Sequence, residues 1–426
     1  MNYKIENGKL LIYENDEFKI VEDDLYITDG EITSIGSRAD IDDSLFEKIN
    51  AADHLVMPGL INMHTHAYMT PLRNYADDVD FAEWLFNRVN PVEDNMTAED
   101  AYTANLLAFA EMIMSGTTAY TDMHMFRCQS AKAAKEAGMR ALIGRGLVGD
   151  DLYTDGYRRF REALDELEEY SSDMIRFSFA PHAIYTCSPK FYEQVTKEAD
   201  KYGVLKQTHL SEGLTEVNDS LEKYGKPPVA LLKDTGFLDN AILAHCVQMR
   251  DNDIAIIKEC NATVATNPAS NAKLGNGFAP VKAFLDADVN LCIGTDGTSS
   301  NNTLNMFREI GLLSLIHKGI NKDSTAMSAQ TAIKAATINA AKALGMEGKL
   351  GIIKEGARAD LIFLDLKLPN MFPANNILSS LCYSANGSEV DSVMIDGRFV
   401  MKDRVLTTID LKKVFADSSR WSRFLK

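Results

Sequence analysis

The pattern of apolar and polar residues changes near Leu55. Before that residue, short apolar segments alternate with acidic turns, as in YKIENGKLLIY and FKIVEDDLYITDG. This pattern predicts β-strands joined by hairpin turns at Asn7-Gly8 and Asp29-Gly30. After Leu55, apolar strands alternate with amphipathic stretches whose apolar residues recur at steps of three and four, which predicts helices. The chain therefore contains a β-rich beginning followed by a strand-and-helix body.

The body has the pattern of a closed barrel. Its predicted strands are Leu55–Met63, Thr117–Met123, Arg140–Leu147, Ile175–Ala180, Val204–Thr208, Ala241–Ala244, Thr263–Thr266 and Val289–Gly294. Its predicted helices include Ala98–Met114, Ser130–Ala137, Arg158–Tyr170, Pro189–Tyr202 and Pro280–Ala287. Strands and helices that alternate in this way over ~300 residues predict an α/β fold, a parallel (β/α)8 TIM barrel with the helices outside.

The last part of the chain returns to strand-like segments. A long Ala-rich helix is predicted over Ala326–Leu344, and ADLIFLDL and SVMIDGRFVM follow it. Each β-rich end is too small to fold alone, so we expect the two ends to pair into one side domain. The predicted organisation assigns residues 1–57 and 357–426 to the side domain and residues 58–356 to the barrel.

Composition and charge exclude several classes of protein. With 44 Lys and Arg against 61 Asp and Glu, the formal charge is 44 − 61 = −17, which argues against binding to nucleic acid or to an anionic membrane surface. No segment approaches the ~20 apolar residues of a membrane span. The 6 cysteines include no C-x-x-C pair, and the N-terminus lacks the pattern of a signal peptide. We therefore expect a cytoplasmic protein with reduced thiols.

Histidines mark the predicted strand ends. His64 and His66 form H-T-H at the end of the first barrel strand, and alternate residues of a strand point to the same side. Other strands are followed by His182, His209, His245 and Asp296. Because the active sites of such barrels lie at the carboxyl ends of the strands, we expect these side chains to converge there. His54, His124 and His317 are expected to be structural, with His124 kept in reserve because it follows the second strand.

Imidazoles and a carboxylate in one place predict a metal site. Three imidazoles and one carboxylate suit a borderline cation such as zinc, which lowers the pKa of a bound water towards ~7. Glu212 lies three residues after His209 in H-L-S-E and could move the protons of a hydrolysis, although its spacing fits an acidic residue at a helix start equally well. The sequence has no H-E-x-x-H, no phosphate-binding loop and no H-x-E…P-C-x-x-C motif.

Longer motifs add a family resemblance over nearly the whole chain. PGLINMHTH, the isolated His209 and His245, TDG at 295–297 and GKLGIIKEGARADLIFLD resemble the amidohydrolase superfamily. NPASNAKLGNGFAPV and TDGTSSNN resemble its methylthioadenosine/S-adenosylhomocysteine deaminases, which are close to chlorotriazine hydrolases and guanine deaminases. The resemblance implies a (β/α)8 barrel, a composite β-sandwich built from both chain ends, and one divalent metal ion per subunit. Zinc is the first expectation, with iron, manganese and nickel left open.

The resemblance also implies roles for individual residues. The implied metal ligands are His64, His66, His209 and Asp296. His245 would contact the attacking water, Glu212 would protonate the purine N1 as C6 is attacked, and Asp296 would pass a water proton to the leaving ammonia. This division makes physical sense, because protonation of N1 creates the electrophile.

A further set of residues is implied for substrate binding. Glu93 would accept hydrogen bonds from the ribose hydroxyls, and His182 would contact the nucleoside. Arg145 and Arg159, with Arg158 as an alternative to the latter, would bind the carboxylate of homocysteine through guanidinium forks. Trp84 fits either a wall of the substrate site or simple core packing.

The leading hypothesis is therefore a metal-dependent deaminase of adenosine-type nucleosides. Its expected substrates are 5'-methylthioadenosine, S-adenosylhomocysteine and adenosine, whose order is left open, and its products are the 6-oxo nucleoside and ammonia. The alternative within enzymes is a hydrolase of another ring, such as guanine, a pterin or a chlorotriazine. A catalytically silent barrel is disfavoured because every expected ligand is present. The expected partner is a small purine nucleoside, and the resemblance implies a homo-oligomer.

Overall fold

The computed structural model describes residues 2–36, 41–250 and 252–425. The chain begins with strands of the side domain. They are β1 (Asn2–Glu6), β2 (Lys9–Glu14), β3 (Glu17–Glu22), β4 (Leu25–Thr28), β5 (Glu31–Ile35), β6 (Glu47–Asn50) and β7 (His54–Pro58). One sheet has the order β5-β4-β1-β6, whereas β2, β3 and β7 belong to a second sheet.

The two predicted hairpin turns have different outcomes. Asp29 (φ 48°) and Gly30 (φ 81°) join the antiparallel strands β4 and β5, so this prediction is confirmed. The prediction at Asn7-Gly8 is wrong, because β1 and β2 lie in different sheets and the turn carries the chain from one to the other. The other hairpin joins β2 to β3 through Asn15 and Asp16, with φ 51° and 64°.

Eight parallel strands form the barrel. They are β8 (Leu60–Thr65), β9 (Thr117–His124), β10 (Arg140–Leu147), β11 (Ile175–Pro181), β12 (Leu205–Leu210), β13 (Ile242–His245), β14 (Thr263–Thr266) and β15 (Asn290–Ile293). The backbone N–H of Asp296, just after β15, donates to the His64 carbonyl of β8 at 2.9 Å. The Thr295 N–H donates to Asn62 Oδ1 at 3.0 Å, so the last strand lies against the first and the predicted barrel is confirmed.

The predicted strand Leu55–Met63 is wrong as one element. It is divided into β7, which belongs to the side domain, and β8, which belongs to the barrel. Gly59 separates the two strands, and a Cβ there would lie 2.1 Å from Thr118 Oγ1. Only glycine therefore fits where the chain passes from one domain to the other.

Helices cover the outside of the barrel. They are α1 (Asn90–Asn95), α2 (Ala98–Met114), α3 (Gln129–Ala137), α4 (Tyr157–Tyr170), α5 (Pro189–Tyr202), α6 (Leu214–Tyr224), α7 (Pro228–Asp234), α8 (Asp253–Glu259), α9 (Pro268–Lys273), α10 (Val281–Asp286), α11 (Thr298–Asn301), α12 (Met306–Asn321), α13 (Ala329–Ala335), α14 (Ile338–Ala343), α15 (Ile377–Tyr383) and α16 (Leu411–Ser418). Thr97 and Asp100 form a capping box at the start of α2. Within the described ranges, none of these helices is long and apolar enough to cross a membrane.

The single helix predicted over Ala326–Leu344 is wrong, since α13 and α14 are separate helices. The carbonyl of Ala336, between them, accepts a hydrogen bond from the Ile61 N–H of β8 at 2.8 Å. Gly351 approaches the Thr337 carbonyl so closely that a Cβ on it would lie 2.5 Å away. Contacts with distant parts of the chain therefore interrupt a sequence that is locally compatible with one helix.

The C-terminal strands complete the side domain. They are β16 (Leu361–Asp365), β17 (Val390–Ile395), β18 (Arg398–Lys402) and β19 (Val405–Leu406). Because β16 pairs antiparallel with β7, both chain ends contribute to one sheet, as predicted. This pairing supports the division into residues 1–57, 58–356 and 357–426, which we propose as the domain organisation. The buried ion pair between Arg140 and Asp360, at 2.7 Å, joins the barrel to the side domain.

Candidate active site

A cavity of about 200 Å³ opens where the barrel strands end. It combines polar side chains from the strand ends with apolar side chains from the segment before α1. The predicted site residues that line it are His66, Trp84, Glu93, Arg159, His182, His209, Glu212, His245 and Asp296. His64 and Arg145 are the predicted site residues that are not part of this lining.

The four predicted metal ligands lie in one cluster, in which ligand atoms of His64, His66 and His209 are within 4.8 Å of one another. His66 Nε2 is 3.2 Å from His209 Nε2 and 3.3 Å from Asp296 Oδ1. His64 Nε2 is 3.6 Å from the same Asp296 oxygen. All four side chains are buried. The sequence prediction that these strand ends converge is therefore confirmed by the geometry.

In His66 and His209, Nδ1 lies against a backbone carbonyl, and Nε2 therefore faces the metal-ligand cluster. His66 Nδ1 lies 2.7 Å from the Met123 carbonyl, and His209 Nδ1 lies 2.8 Å from the His182 carbonyl. A nitrogen that faces a carbonyl carries the hydrogen, which leaves the lone pair on Nε2 facing the cluster. Among the described residues, the buried His64 Nε2 has no hydrogen-bond partner. Three inward imidazole nitrogens and one carboxylate are a donor set that fits a divalent ion.

The electrostatics of the cluster favour the protonation states that bind metals. Burial lowers the pKa of His64 to about 4 and lowers the pKa of His209 well below its ordinary value. Burial alone would raise the pKa of Asp296, but the neighbouring His64, His245 and His66 outweigh it and hold this pKa well below the usual range. Neutral imidazoles and an ionised carboxylate are the forms that coordinate cations.

Two serines that the sequence analysis did not single out hold Asp296. Ser270 and Ser300 donate to Asp296 Oδ2 at 2.6 and 2.8 Å, and the Gly297 N–H donates to Oδ1 at 2.8 Å. Both serines lie in motifs, NPASN and TDGTSSNN, that follow adjacent barrel strands, so their position after a strand end was an available signal. Oδ2 is occupied by the two hydroxyls, which leaves Oδ1 nearest to the histidines.

Glu212 and His245 face each other beside the metal-ligand cluster. Glu212 Oε2 is 3.7 Å from His245 Nε2, and Asn276 donates to Glu212 Oε1 at 3.0 Å. On the far side of the imidazole, His245 Nδ1 lies 2.9 Å from Asn271 Oδ1. Burial raises the pKa of Glu212 above its ordinary value. The Glu212 side chain can therefore hold a proton within the cavity. This location favours the proton-carrying role over the alternative of an acidic residue at a helix start.

The backbone around these residues adopts an uncommon conformation. Ser211, His245 and Asp296 have φ values of 50°, 71° and 61°, and each lies at the last residue of a barrel strand or within three residues after it. Non-glycine residues rarely adopt positive φ, and such residues concentrate at functional sites. The chain turns sharply here, which directs these side chains over the barrel mouth.

Glu93 and Trp84 also line the cavity. Glu93 lies on α1, and its Oε1 accepts a hydrogen bond from the Tyr68 hydroxyl at 2.5 Å. Trp84 lies in the wide helical turn Glu83–Val89, and its indole N–H donates to the Ser299 carbonyl at 3.2 Å. The indole both lines the cavity and packs in a buried apolar cluster, so it combines the two alternatives predicted for it.

The three neighbouring arginines have different surroundings. Arg145 is buried and its guanidinium lies 2.7 Å from Glu162 Oε2, so its charge is already paired. Arg159 lines the cavity and donates to the Gly146 carbonyl at 3.0 Å, and no carboxylate of the described chain lies within ion-pair distance of it. Arg158 is exposed over 78% of its side chain. Of the two adjacent arginines, Arg159 therefore faces the cavity.

The remaining histidines divide as expected. His182 lines the cavity, and its Nδ1 lies 3.0 Å from Thr186 Oγ1. His124 is buried against Glu166, with Nε2 3.1 Å from Oε2, outside the cavity lining. His54 lies in β7 of the side domain, and His317 is buried in α12. None of these last three contributes to the site.

Comparison with known proteins agrees with this geometry. Residues 55–400 match the sequence model of the amidohydrolase family. The chain belongs to the amidohydrolase family. A 5-methylthioadenosine/S-adenosylhomocysteine deaminase of Caldanaerobacter subterraneus subsp. tengcongensis is 40% identical to this amidohydrolase over 420 residues, 97% of this chain and 96% of that protein.

Two other relatives are similar over comparable lengths. A 5'-deoxyadenosine deaminase of Methanosarcina mazei is 39% identical over 424 residues, which are 98% of this amidohydrolase and 96% of the relative. The zinc-bound crystal structure of an adenosine deaminase from Xanthomonas campestris superposes with a TM-score of 0.93 at 33% identity. The superposition covers 99% of this chain and 98% of that one, so the barrel and the side domain are both shared.

Proposed function

We propose that this amidohydrolase deaminates adenosine-type nucleosides, releasing ammonia and leaving the 6-oxo product. The observation that carries the proposal is one cavity that is lined by the Glu212–His245 pair, by the histidine cluster and by Glu93. A purine ring and its ribose require those two kinds of contact in one site. The names of the relatives support 5'-methylthioadenosine, S-adenosylhomocysteine and adenosine as candidate substrates.

His64, His66, His209 and Asp296 are the proposed ligands of one divalent ion per subunit. Zinc is the first proposal, because the similar adenosine deaminase structure holds zinc. When bound, such an ion supplies Lewis acidity, which makes a water acidic enough to act as a nucleophile at neutral pH.

The protons of the reaction are assigned to three side chains. Glu212 holds a proton and gives it to the purine N1 while the water oxygen bonds to C6. His245 Nε2 stabilises the attacking oxygen, and Asp296 accepts a water proton and passes it to the 6-amino group. The C6–N bond then breaks and ammonia leaves, while the proton of the C6 hydroxyl passes to Glu212 as the 6-oxo group forms. One water proton therefore replaces the proton that Glu212 gave to N1, and the other leaves in ammonia.

The substrate is proposed to lie along the cavity. Trp84 and His182 flank the ring system, and Glu93 accepts a hydrogen bond from a ribose hydroxyl. Arg159 is the proposed partner of a terminal carboxylate, because it lines the cavity and no carboxylate of the described chain lies within ion-pair distance of it. Arg145 would contact substrate only if its guanidinium left Glu162.

The test is ammonia release, with the accompanying ultraviolet change, from a panel of compounds supplied with zinc or manganese. The panel holds adenosine, 5'-methylthioadenosine, S-adenosylhomocysteine, adenine, guanine, a pterin and a chlorotriazine. We expect turnover of the nucleosides. Turnover of a free base, pterin or triazine alone would overturn the substrate proposal in favour of a hydrolase of another ring.

Two variants sharpen this test. Glu212→Gln cannot donate the proton and is expected to lower kcat about 10²–10⁴-fold, whereas the matched change at the exposed Glu222 should leave kcat unchanged. Glu93→Ala is expected to raise KM for nucleosides. Activity that survives Glu93→Ala unchanged would contradict ribose recognition.

The cellular location and the oligomeric state are also proposals. The 6 cysteines are all free and buried, which supports a reducing, cytoplasmic location. A homo-oligomer is proposed from the resemblance to the deaminase group. Light scattering coupled to size-exclusion chromatography tests it, and a mass of one chain, 47.2 kDa, would contradict it.

A further inference from the structure

Tyr68 connects the turn after His66 to Glu93 of α1. It lies two residues after His66, in a turn that begins at Ala67, and its hydroxyl donates to Glu93 Oε1 at 2.5 Å. The two residues are 25 positions apart in sequence, and the intervening segment contains Trp84 and forms one wall of the cavity. The hydrogen bond therefore closes that segment against the strand that carries His64 and His66.

The surroundings of Tyr68 fix its hydroxyl. The side chain is 2% exposed, and its ring lies 5.7 Å from Phe126 and 6.4 Å from His66, both edge to face. These contacts hold the ring, and the hydroxyl that it carries, against the Glu93 carboxylate.

Glu93 has few other partners. Burial raises the pKa of Glu93, and the Tyr68 bond counteracts this rise by stabilising the carboxylate. Within residues 2–36, 41–250 and 252–425, Tyr68 is the one hydrogen-bond donor to the Glu93 side chain. A carboxylate has about four acceptor positions, so with Tyr68 on Oε1 the other oxygen, Oε2, is left to accept hydrogen bonds from a molecule in the cavity that Glu93 lines.

We infer that Tyr68 is a specificity-determining positioning residue that holds the Glu93 carboxylate in the orientation required to select a ribose over a deoxyribose. This inference rests on the proposed function, because it assigns the free oxygen of Glu93 to a sugar hydroxyl. The hydrogen bond also links the metal-ligand cluster to the proposed sugar site, since Tyr68 lies only two residues after the ligand His66 in the chain.

The structure indicates that loss of the Tyr68 hydroxyl should leave the fold intact. Phenylalanine keeps the ring contacts with Phe126 and His66. The wall segment remains tied by the Trp84 indole to the Ser299 carbonyl and by Lys273 Nζ to Asp77 at 2.5 Å. Tyr68→Phe therefore removes one donor and little else.

The experiment compares kcat/KM for adenosine with kcat/KM for 2'-deoxyadenosine and 3'-deoxyadenosine, in wild type and Tyr68→Phe. The reference compound is the deoxynucleoside with the lower kcat/KM in wild type. In Tyr68→Phe we expect the ratio of kcat/KM for adenosine to kcat/KM for this compound to fall about tenfold, because the ratio depends on a hydrogen bond to a charged group. The cause of this fall should be a higher KM for adenosine. The kcat and KM for the deoxy compound should stay within about twofold of wild type.

Tyr153→Phe is the matched control. The Tyr153 hydroxyl donates to Glu198 Oε1 at 2.8 Å, which is the same chemical pair outside the cavity lining. Its loss should leave the preference unchanged. Zinc content and melting temperature, measured on both variants, should match wild type within error if the change at Tyr68 is local.

A double-mutant cycle separates action through Glu93 from a direct effect of Tyr68. In the Glu93→Ala background, Tyr68→Phe should change the preference no further. An equal change in both backgrounds would overturn the inference, as would an unchanged preference in Tyr68→Phe or an equal loss on ribose and deoxyribose substrates. If wild type deaminated no nucleoside at all, the proposed function itself would fail, and that outcome is distinct from an active enzyme whose preference ignores Tyr68.

Discussion

The carboxylate of Glu216 accepts a hydrogen bond from the backbone N–H of Glu212 at 2.8 Å. Its other oxygen accepts from the Ser211 N–H, also at 2.8 Å, where the backbone has a φ of 50°. A side chain in the first turn of α6 thus caps the turn that leads from β12 into the helix. Glu216 performs the helix-start role that spacing alone allowed for Glu212, and it leaves the Glu212 side chain free to face His245.

Glu216→Ala should misplace the proposed proton donor. Two buried N–H groups would lose their acceptor, so we expect a lower melting temperature and a loss of about 1–3 kcal/mol of stability for each unsatisfied group. The kcat for nucleosides should fall at least about tenfold with little change in KM, because the affected residue acts on the proton and not on the sugar. Steady-state kinetics and thermal unfolding measure both effects.

Glu222→Ala, on the exposed side of the same helix, provides the control and should resemble wild type. Glu216→Gln keeps one carbonyl acceptor and should recover part of kcat. A Glu216→Ala protein that was less stable but had an unchanged kcat would assign Glu216 to stability alone.

Ser300→Ala should weaken metal binding. Ser300 donates to Asp296 Oδ2 at 2.8 Å and helps to fix the carboxylate that faces His64 and His66. Hydrogen bonds to ligating side chains typically contribute 10–100-fold in metal affinity, so we expect zinc affinity to fall about tenfold. Competition with a zinc-binding chromophore measures it directly, without reference to activity.

Ser314→Ala tests whether loss of any buried serine has the same effect. Ser314 is buried in α12 and donates to the Met327 carbonyl at 2.8 Å, outside the site. Its zinc affinity should equal that of wild type. Equal zinc affinity in Ser300→Ala and wild type would contradict a role for Ser300 in ligand orientation.

Arg159→Ala should alter the choice between two substrates. Because Arg159 lines the cavity and forms no ion pair within the described residues, its removal is expected to lower kcat/KM for S-adenosylhomocysteine at least about tenfold more than for 5'-methylthioadenosine, which has no carboxylate. Arg158→Ala changes the adjacent, exposed arginine and should affect neither substrate. Equal losses on the two substrates in Arg159→Ala would show that the residue supports the cavity without binding a carboxylate.

The barrel and the convergence of its histidines could be predicted because both follow from local rules. Apolar periodicity marks strands and helices, and a residue at the end of a barrel strand points to the mouth wherever the strand lies. His209 and Asp296 are 87 positions apart by their numbers, yet each required only its own strand to be recognised. The fold class and the ligand cluster were therefore accessible from the sequence.

Features that depend on a residue far away in the sequence could not be predicted from local patterns. Asn7-Gly8 correctly indicated a turn, but a turn motif does not specify which strand β1 pairs with. The sequence presented Arg145 as a free cation, whereas the fold brings Glu162 of α4 against it. Neither the Tyr68–Glu93 bond nor the interruption between α13 and α14 has a local signature, because each arises from contacts between separate segments.

A buried carboxylate away from the metal ligands gives a prediction on pH and stability. Glu309 is fully buried in α12 and accepts hydrogen bonds from the Ala269 N–H at 3.0 Å and from Asn301 at 2.9 Å. Burial outweighs these bonds and raises its pKa from 4.5 to about 7. Between pH 4.5 and pH 7 the folded protein holds a proton on Glu309 that the unfolded chain releases. The contribution of this proton to the free energy of unfolding is therefore present in full below about pH 4.5 and is lost as the pH rises through 7.

The Glu309→Gln side chain has no proton to lose, so the variant should lack this decline in the free energy of unfolding with rising pH. Relative to wild type, the free energy of unfolding of the variant should increase by up to about 3 kcal/mol between pH 5 and pH 8, whatever the fixed cost of the amide. Urea unfolding at several pH values measures the slope. Glu222→Gln, at an exposed position, should keep the wild-type slope, and a Glu309→Gln protein with that same slope would mean that Glu309 is ionised in the folded protein throughout this range.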